Sequence, residues 1–268
     1  MSTIKTILEK GSGIQNEDNL FINNDKNIFA IFDGATSLNK FIDSVTNNTG
    51  GFIASQTAVE IFQNNPDKNL KEIFIEINNI IKTKMTAKNI DTSDINNCWS
   101  TAAAVIRIDN TNNTVEWAQI SDCQILFLYK DKHYKLANPN YEHDSETLTL
   151  KNKLNDQQLK DQLIKVRRQA NVSYGFLNGD PNAKDFIITG NESLADISDI
   201  VLFTDGLLIP NPDPSKPDDF ETLISLYRQN GLQEIKDYVR KLQAADPQLT
   251  KYPRFKVHDD IAAISVQF

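Results

Sequence analysis

The stretch "NLFINNDKNIFAIFDGATSL" (residues 19–38) holds two short apolar runs separated by the turn-rich "NNDKN". Runs of this length, rich in Phe and Ile and bounded by Asn and Asp, predict two strands joined by a tight turn. The second run, Phe29 to Phe32, stops abruptly at Asp33-Gly34. An Asp-Gly pair after a strand is first of all a turn signal. It is also a place where a carboxylate and a backbone carbonyl free of side-chain hindrance stand together at the end of a sheet.

Outward from this pair, residues 50–65 and 69–85 show helical spacing, the second through Leu70, Phe74, Ile77, Ile81 and Met85. Strands are expected at 100–109, 114–121 and 124–131, forming an antiparallel meander, with a weaker strand at 133–137. Residues 138–185 are polar and irregular, with a helical patch near 155–170. A polar insertion of that length is expected to be a flap beside a functional site. Strands return at 185–189 and 199–206, followed by two helices that break at Asn230-Gly231 and a last strand over 259–268. No linker or repeat divides the chain, so one domain over 1–268 is expected, of α+β type, with strands in hairpins and helix pairs between them.

The composition narrows the function. The 268 residues carry a formal net charge of −8 and no offsetting basic run, which argues against nucleic acid or an anionic membrane as partner. The N-terminus lacks an apolar core of the signal-peptide kind, and no run of about 18 apolar residues predicts a membrane span, so a cytoplasmic protein is expected. The two cysteines, Cys98 and Cys123, form no CxxC pattern, which excludes a disulfide framework or thiolate zinc site. His133, His143 and His258 show no zinc-triad spacing.

Acid recurs where strands begin or end: Glu17-Asp18 before "NLF", Asp33 after "FAIF", Asp205 after "VLFT" and Asp259-Asp260 before "IAAIS". Each has a plain reading as a turn or a solvated pair. Gathered on one rim they would repel one another and call for a compensating cation. Carboxylate oxygens of this kind suit Mg²⁺ or Mn²⁺.

The ordered set "QNEDNLF", "FAIFDGATS", "STAAAVIRI", "WAQISDCQILFLYKD", "VLFTDG" and "HDDIAAISV" resembles the protein phosphatase 2C family of metal-dependent Ser/Thr phosphatases, most of all its compact bacterial members, over nearly the whole chain. The resemblance implies an αββα sandwich, two antiparallel sheets flanked by helix pairs. It implies two Mn²⁺ or Mg²⁺ ions, with Asp33 bridging them, the Gly34 carbonyl on one, and Asp205 and Asp259 on the other. It gives Glu17 and Asp18 roles through metal-bound water and offers Asp122, in "ISDC", to a third ion; Asp122 reads equally as a hairpin turn. The expected activity is hydrolysis of phosphoserine or phosphothreonine in a phosphoprotein by metal-activated water, in a monomeric enzyme.

Three positions depart from the family pattern. Gly13 stands where an arginine usually binds phosphate, with Lys10 as the nearby cation. Ala35 stands where a histidine is common, and Ile209 where a further aspartate supports the third ion. These losses leave two other readings on the table: a phosphatase-like protein that binds phosphoprotein without turnover, and a hydrolase of small phosphoesters. Four costly acidic-site positions kept together, Asp33, Gly34, Asp205 and Asp259, favour the enzyme.

Overall fold

The computed structural model describes residues 2–141 and 145–268; His143 and that part of the expected flap lie outside them. Among the described residues ten strands and six α-helices follow one another: β1 (Thr3–Glu9), β2 (Asn19–Asn23), β3 (Ile28–Ala35), α1 (Gly50–Asn64), α2 (Leu70–Ala87), β4 (Ser100–Asp109), β5 (Thr114–Ile120), β6 (Gln124–Tyr129), β7 (Tyr134–Leu136), α3 (Ser145–Lys151), α4 (Asp156–Arg167), β8 (Ile188–Ser193), β9 (Ile197–Phe203), α5 (Phe220–Asn230), α6 (Leu232–Ala244) and β10 (Ile261–Gln267). The strands make two five-stranded antiparallel sheets, β1-β10-β9-β6-β7 and β2-β3-β4-β5-β8.

Both sheets are covered on both faces. Between them pack Phe29, Ile31, Ala104, Ile106, Ile125, Phe127, Ile200, Leu202 and Ile264. The opposite face of the second sheet, through Ala30, Phe32, Ala103 and Val105, meets Phe62, Phe74 and Ile77 of α1 and α2. The opposite face of the first, through Leu126, Val201, Phe203 and Ala263, meets Leu223, Tyr227, Ile235 and Val239 of α5 and α6. This is the αββα sandwich. It explains why "IFAIF" and "TAAAVI" read as unbroken apolar runs: alternate residues go to opposite faces, and both faces are buried.

Three expectations need correction. The four strands from 100 to 137 are not one meander, because β5 and β6 belong to different sheets. The chain crosses between layers at Ser121, whose φ of 65° is left-handed, so the turn before Asp122 is an inter-sheet corner and not a hairpin. The strand expected at 185–189 forms at Ile188–Ser193 instead. Phe186 and Ile187 pack into the α1/α2 core, and the strand itself is a polar edge whose Gly190 lies flat against the Trp117 ring, where a Cβ would come within 2.4 Å. β1 was not foreseen at all. It is an edge strand with only partial burial, so its alternation is weak. Among the described residues no helix is long and apolar enough to cross a membrane.

The layered packing predicts unequal costs for one kind of truncation. Ile264→Ala, at a fully buried inter-sheet position, should lower the unfolding free energy by about 2–5 kcal/mol. Ile188→Ala, 40% exposed on edge strand β8, should change it by less than about 1 kcal/mol. Urea unfolding of the two variants beside the parent measures the difference.

Candidate metal centre

Strand pairing brings the acids to one rim. In one sheet the start of β2 lies beside the end of β3, with Asn19 opposite Phe32. In the other, Phe203 at the end of β9 faces both Ala263 near the start of β10 and Gln124 at the start of β6. Asp18, Asp33, Asp122, Asp205 and Asp259 therefore occupy the same end of the sandwich. Asp33 keeps the parity of Phe29 and Ile31, so its carboxylate stands at the mouth of the space between the sheets.

Glu17, Asp33, Gly34, Asp122, Asp205 and Asp259 line one open cleft of about 480 Å³. Asp33, Asp122, Asp259 and Glu17 are half-buried, and Asp205 is the most open to solvent. Asp18 is buried behind them, 4% exposed, and its Oδ2 accepts a hydrogen bond of 2.7 Å from Thr204 Oγ1. The Thr204 hydroxyl also receives Ala262 N–H at 2.9 Å, so one hydroxyl ties β9, β10 and the start of β2 together. Glu17 accepts from the Thr36 hydroxyl, and Gly51 N–H donates to that same hydroxyl at 3.2 Å. Glu17 is thus fixed by the loop that follows Asp33-Gly34.

The electrostatics call for a cation. Enclosure by the cleft walls pushes the Asp33 carboxyl well above the usual range, and Asp18, Asp122 and Asp259 push it further. Asp205 rises for the same reasons, with Asp33 and Asp259 its strongest neighbours. Burial raises Asp18 too, with Thr204 opposing and Asp259 and Asp205 adding. Burial works against the charge of the Lys256 ammonium. Asp259, which accepts from its Nζ at 2.6 Å, together with Asp33 and Asp205, nonetheless holds it protonated beyond the ordinary lysine range. A lysine, absent from the sequence reading, thus partly neutralises the acids.

These donors fit Mn²⁺ or Mg²⁺: they are carboxylate oxygens, and no histidine or cysteine lines the cleft among the described residues. Among those residues no three His, Cys, Asp or Glu side chains close on a single point; the acids ring a cleft, an arrangement that suits ions retaining most of their waters.

Neighbouring residues divide into site and support. Asp260 does not face the cleft. It is 3% exposed and accepts Gly11 N–H at 2.6 Å and Glu17 N–H at 2.8 Å, anchoring the segment that presents Glu17-Asp18. Gly206 is required because a Cβ there would lie 1.8 Å from the Asp260 carbonyl, and Gly34 because its Cβ would lie 2.4 Å from the Glu17 carbonyl. Both Asp-Gly pairs thus owe their glycine to close backbone packing. Buried Asp246 accepts three backbone N–H groups and pairs with Arg254 at 3.0 Å, bracing the loop that delivers Phe255 and Lys256. Lys10 is exposed and donates to Ile14 O at 3.2 Å, so it does not replace the cation missing at Gly13. Ile209 is buried against α5 and α6 and offers no oxygen to a third ion. Cys123 is fully buried beside the acids, and burial, then Asp33 and Asp122, pushes its thiol well above the usual range; Cys98 is pushed up to about 11. Neither is a nucleophile. His258 is half-buried and turned to Gln243.

Stability should register this repulsion. An acid whose folded pKa is raised holds its proton in the folded state after the unfolded chain has lost it, so its contribution falls as pH rises above about 4. In EDTA at pH 8, Asp33→Asn should therefore melt roughly 2–6 °C above the parent, the gap closing toward pH 4. Lys256→Met should melt roughly 2–4 °C below it. With saturating Mn²⁺ the parent should gain more than Asp33→Asn. A lower melting point for Asp33→Asn in EDTA at pH 8 would contradict this account.

Comparison with known proteins supplies the family. The chain matches the family model of protein phosphatase 2C over residues 9–244. No curated protein matches it in sequence. Solved structures with the same fold include the catalytic domain of the serine/threonine phosphatase PstP with two manganese ions, at 14% identity and TM-score 0.61, covering 99% of this chain and 97% of that one. Stp1 of Staphylococcus aureus, a serine/threonine phosphatase, aligns at 13% identity and TM-score 0.60 over 100% and 95% of the two chains. RsbX with magnesium aligns at 11% identity and TM-score 0.57 over 99% and 94%. With the matched model spanning most of its length and the same sandwich carrying its acids to one rim, this chain belongs to the protein phosphatase 2C family.

Proposed function

We propose that this protein is a metal-dependent phosphatase acting on phosphoserine or phosphothreonine in proteins. The observation that carries the reading is the convergence of Asp33, Asp205 and Asp259, distant in sequence, on one cleft, where mutual repulsion leaves the first two in need of a cation. Asp33 and the Gly34 carbonyl would hold one of two Mn²⁺ or Mg²⁺ ions. Asp205 and Asp259 are assigned to the other, and Glu17 and Asp18 to the waters around them. Asp122 lines the same cleft, and Ile209, buried against α5 and α6, offers no oxygen to a third ion.

When bound, such ions acidify water enough to supply a nucleophile near neutral pH and neutralise charge on the phosphoryl oxygens. The chain's own residues set the stage. Thr204 orients Asp18, Thr36 orients Glu17, and Asp260 holds the segment that carries both acids. Lys256 sits on Asp259, a counter-charge that entering ions must displace or share. Since both thiols are buried and protonated, no phosphocysteine route competes. With Ala35 standing where the family resemblance leads one to expect a histidine, the leaving alcohol would take its proton from solvent. Of the segment 138–185, the part that supplies α3 and α4 acts in this reading as the flap that selects substrates, whereas Phe176, Leu177 and Ala183 further along pack into the cores.

The test is hydrolysis of an aryl phosphate and of a phosphothreonine peptide with Mn²⁺, with EDTA, and in Asp33→Ala and Asp205→Ala. Turnover should require metal and fall by at least about 100-fold in each variant. Mn²⁺ binding by calorimetry without turnover in the parent would favour a phosphoprotein-binding role. Turnover confined to the aryl phosphate would favour a small-phosphoester hydrolase.

A further inference from the structure

Phosphoryl groups bound at this cleft would bring negative charge to a rim already rich in carboxylates, so donors outside the acids must hold them. Gly13 offers none, Lys10 donates to Ile14 O, Lys151 donates to Arg254 O, and Lys256 is committed to Asp259; Lys40 lines the cleft too but brings a single ammonium and no planar fork. Arg167, the last residue of α4, lines the same cleft and pairs with no carboxylate among the described residues. Among the described residues its guanidinium is held at long range, Nη1 to Ser100 Oγ at 3.5 Å and Nη2 to Thr36 O at 3.4 Å. Those two contacts suspend it over the loop that follows Asp33-Gly34 while leaving most of its donors unused.

Helix α4 adds a second signal. It is firmly started by a capping box at Asn155 and Gln158, yet none of its residues is buried. Leu159, Leu163 and Arg167 recur at four-residue spacing and share one face, with Val166 beside them, and all four line the cleft. Across it stands Phe255, 39% exposed. An apolar stripe that faces a charged cleft instead of a core is available to a ligand, and the charge at its end sets which ligand.

We infer that Arg167 is the phosphate-binding cation of this chain, and that the Leu159–Leu163–Val166 face with Phe255 seats a bulky apolar side chain flanking the phosphorylated residue. This rests on the phosphatase reading above and names its substrate class: phosphopeptides with an aliphatic or aromatic neighbour to the phosphoserine or phosphothreonine. The planar fork of an arginine suits two phosphoryl oxygens at once.

Calorimetry of Mn²⁺-loaded protein with inorganic phosphate tests the cation directly. Arg167→Ala should weaken phosphate binding roughly 10–100-fold, Arg167→Lys should recover part of it, and Mn²⁺ affinity should not change. Phosphothreonine peptides flanked by Leu or by Ser test the apolar wall. The Leu peptide should show a KM roughly 5–20-fold lower, and Leu163→Asn should erase that preference while leaving phosphate affinity intact. Unchanged phosphate binding in Arg167→Ala, no phosphate binding by the parent, or Mn²⁺ affinity that falls together with phosphate affinity would overturn the assignment. Phosphate held through Arg167 without any hydrolysis would support the subsite and overturn the phosphatase reading. Hydrolysis with equal KM for both peptides would leave the enzyme standing and overturn the apolar seat.

Discussion

The two sheets hold Asp18, Asp33 and Asp205 nearer to one another than their charges tolerate. The strand ends fix their backbones, burial strips Asp18 and Asp33 of much of their water, and the same acids crowd the more open Asp205, so relief comes from protons, from Lys256 or from a bound cation. Much of the rest of this rim is arranged around that constraint. Thr204 gives buried Asp18 a donor, Thr36 fixes Glu17, and Asp260 turns away to anchor the N-terminal segment instead of adding a charge to the cleft. Two adjacent aspartates, Asp259 and Asp260, thus do opposite work, one facing the cleft and the other the backbone behind it.

The supporting framework is apolar and repetitive, which is why it absorbs such a defect. Three hydrophobic layers run through the molecule, and the central strands β3, β4, β6, β9 and β10 each contribute alternately to two of them. The acids lie at the ends of these strands, where the ladder stops and side chains emerge. A charge two positions earlier in β3 would fall at Ile31, fully buried between the sheets, where nothing could solvate it. The rim is the place where a rigid backbone and access to water coincide.

Much of this was legible in the sequence. The apolar runs that mark β3, β4, β9 and β10, the stripe of α2 and the Asn230-Gly231 break were plain, because burial on both faces makes a strand stand out. The acids at strand ends were legible as a set once their order was weighed. What escaped was long-range. β1 is too polar to stand out, and its only partner is the far end of the chain. The crossing between sheets at Ser121 looks like any turn, since a hairpin and a corner use the same residue types. Lys256 and Arg167 read as ordinary solvated charges, and only the folding of the 246–254 loop and of α4 over the cleft gives them a role. The polar strand β8 was misplaced because the apolar pair before it packs under a helix instead of pairing.

The position of β10 has a kinetic consequence. It lies between β1 and β9, hydrogen-bonded to both, and it is the last element in chain order. Among the described residues β1 has no other neighbour in its sheet, so its pairing waits for a strand more than two hundred residues away; Asp260, 249 residues from Gly11, closes the same gap with its carboxylate. Closing so large a loop makes the completion of this sheet late and slow. The sheet of β2 to β5, with its helices α1 and α2, is built from nearer neighbours and can consolidate first, leaving the acidic rim half-made until the chain's two ends meet.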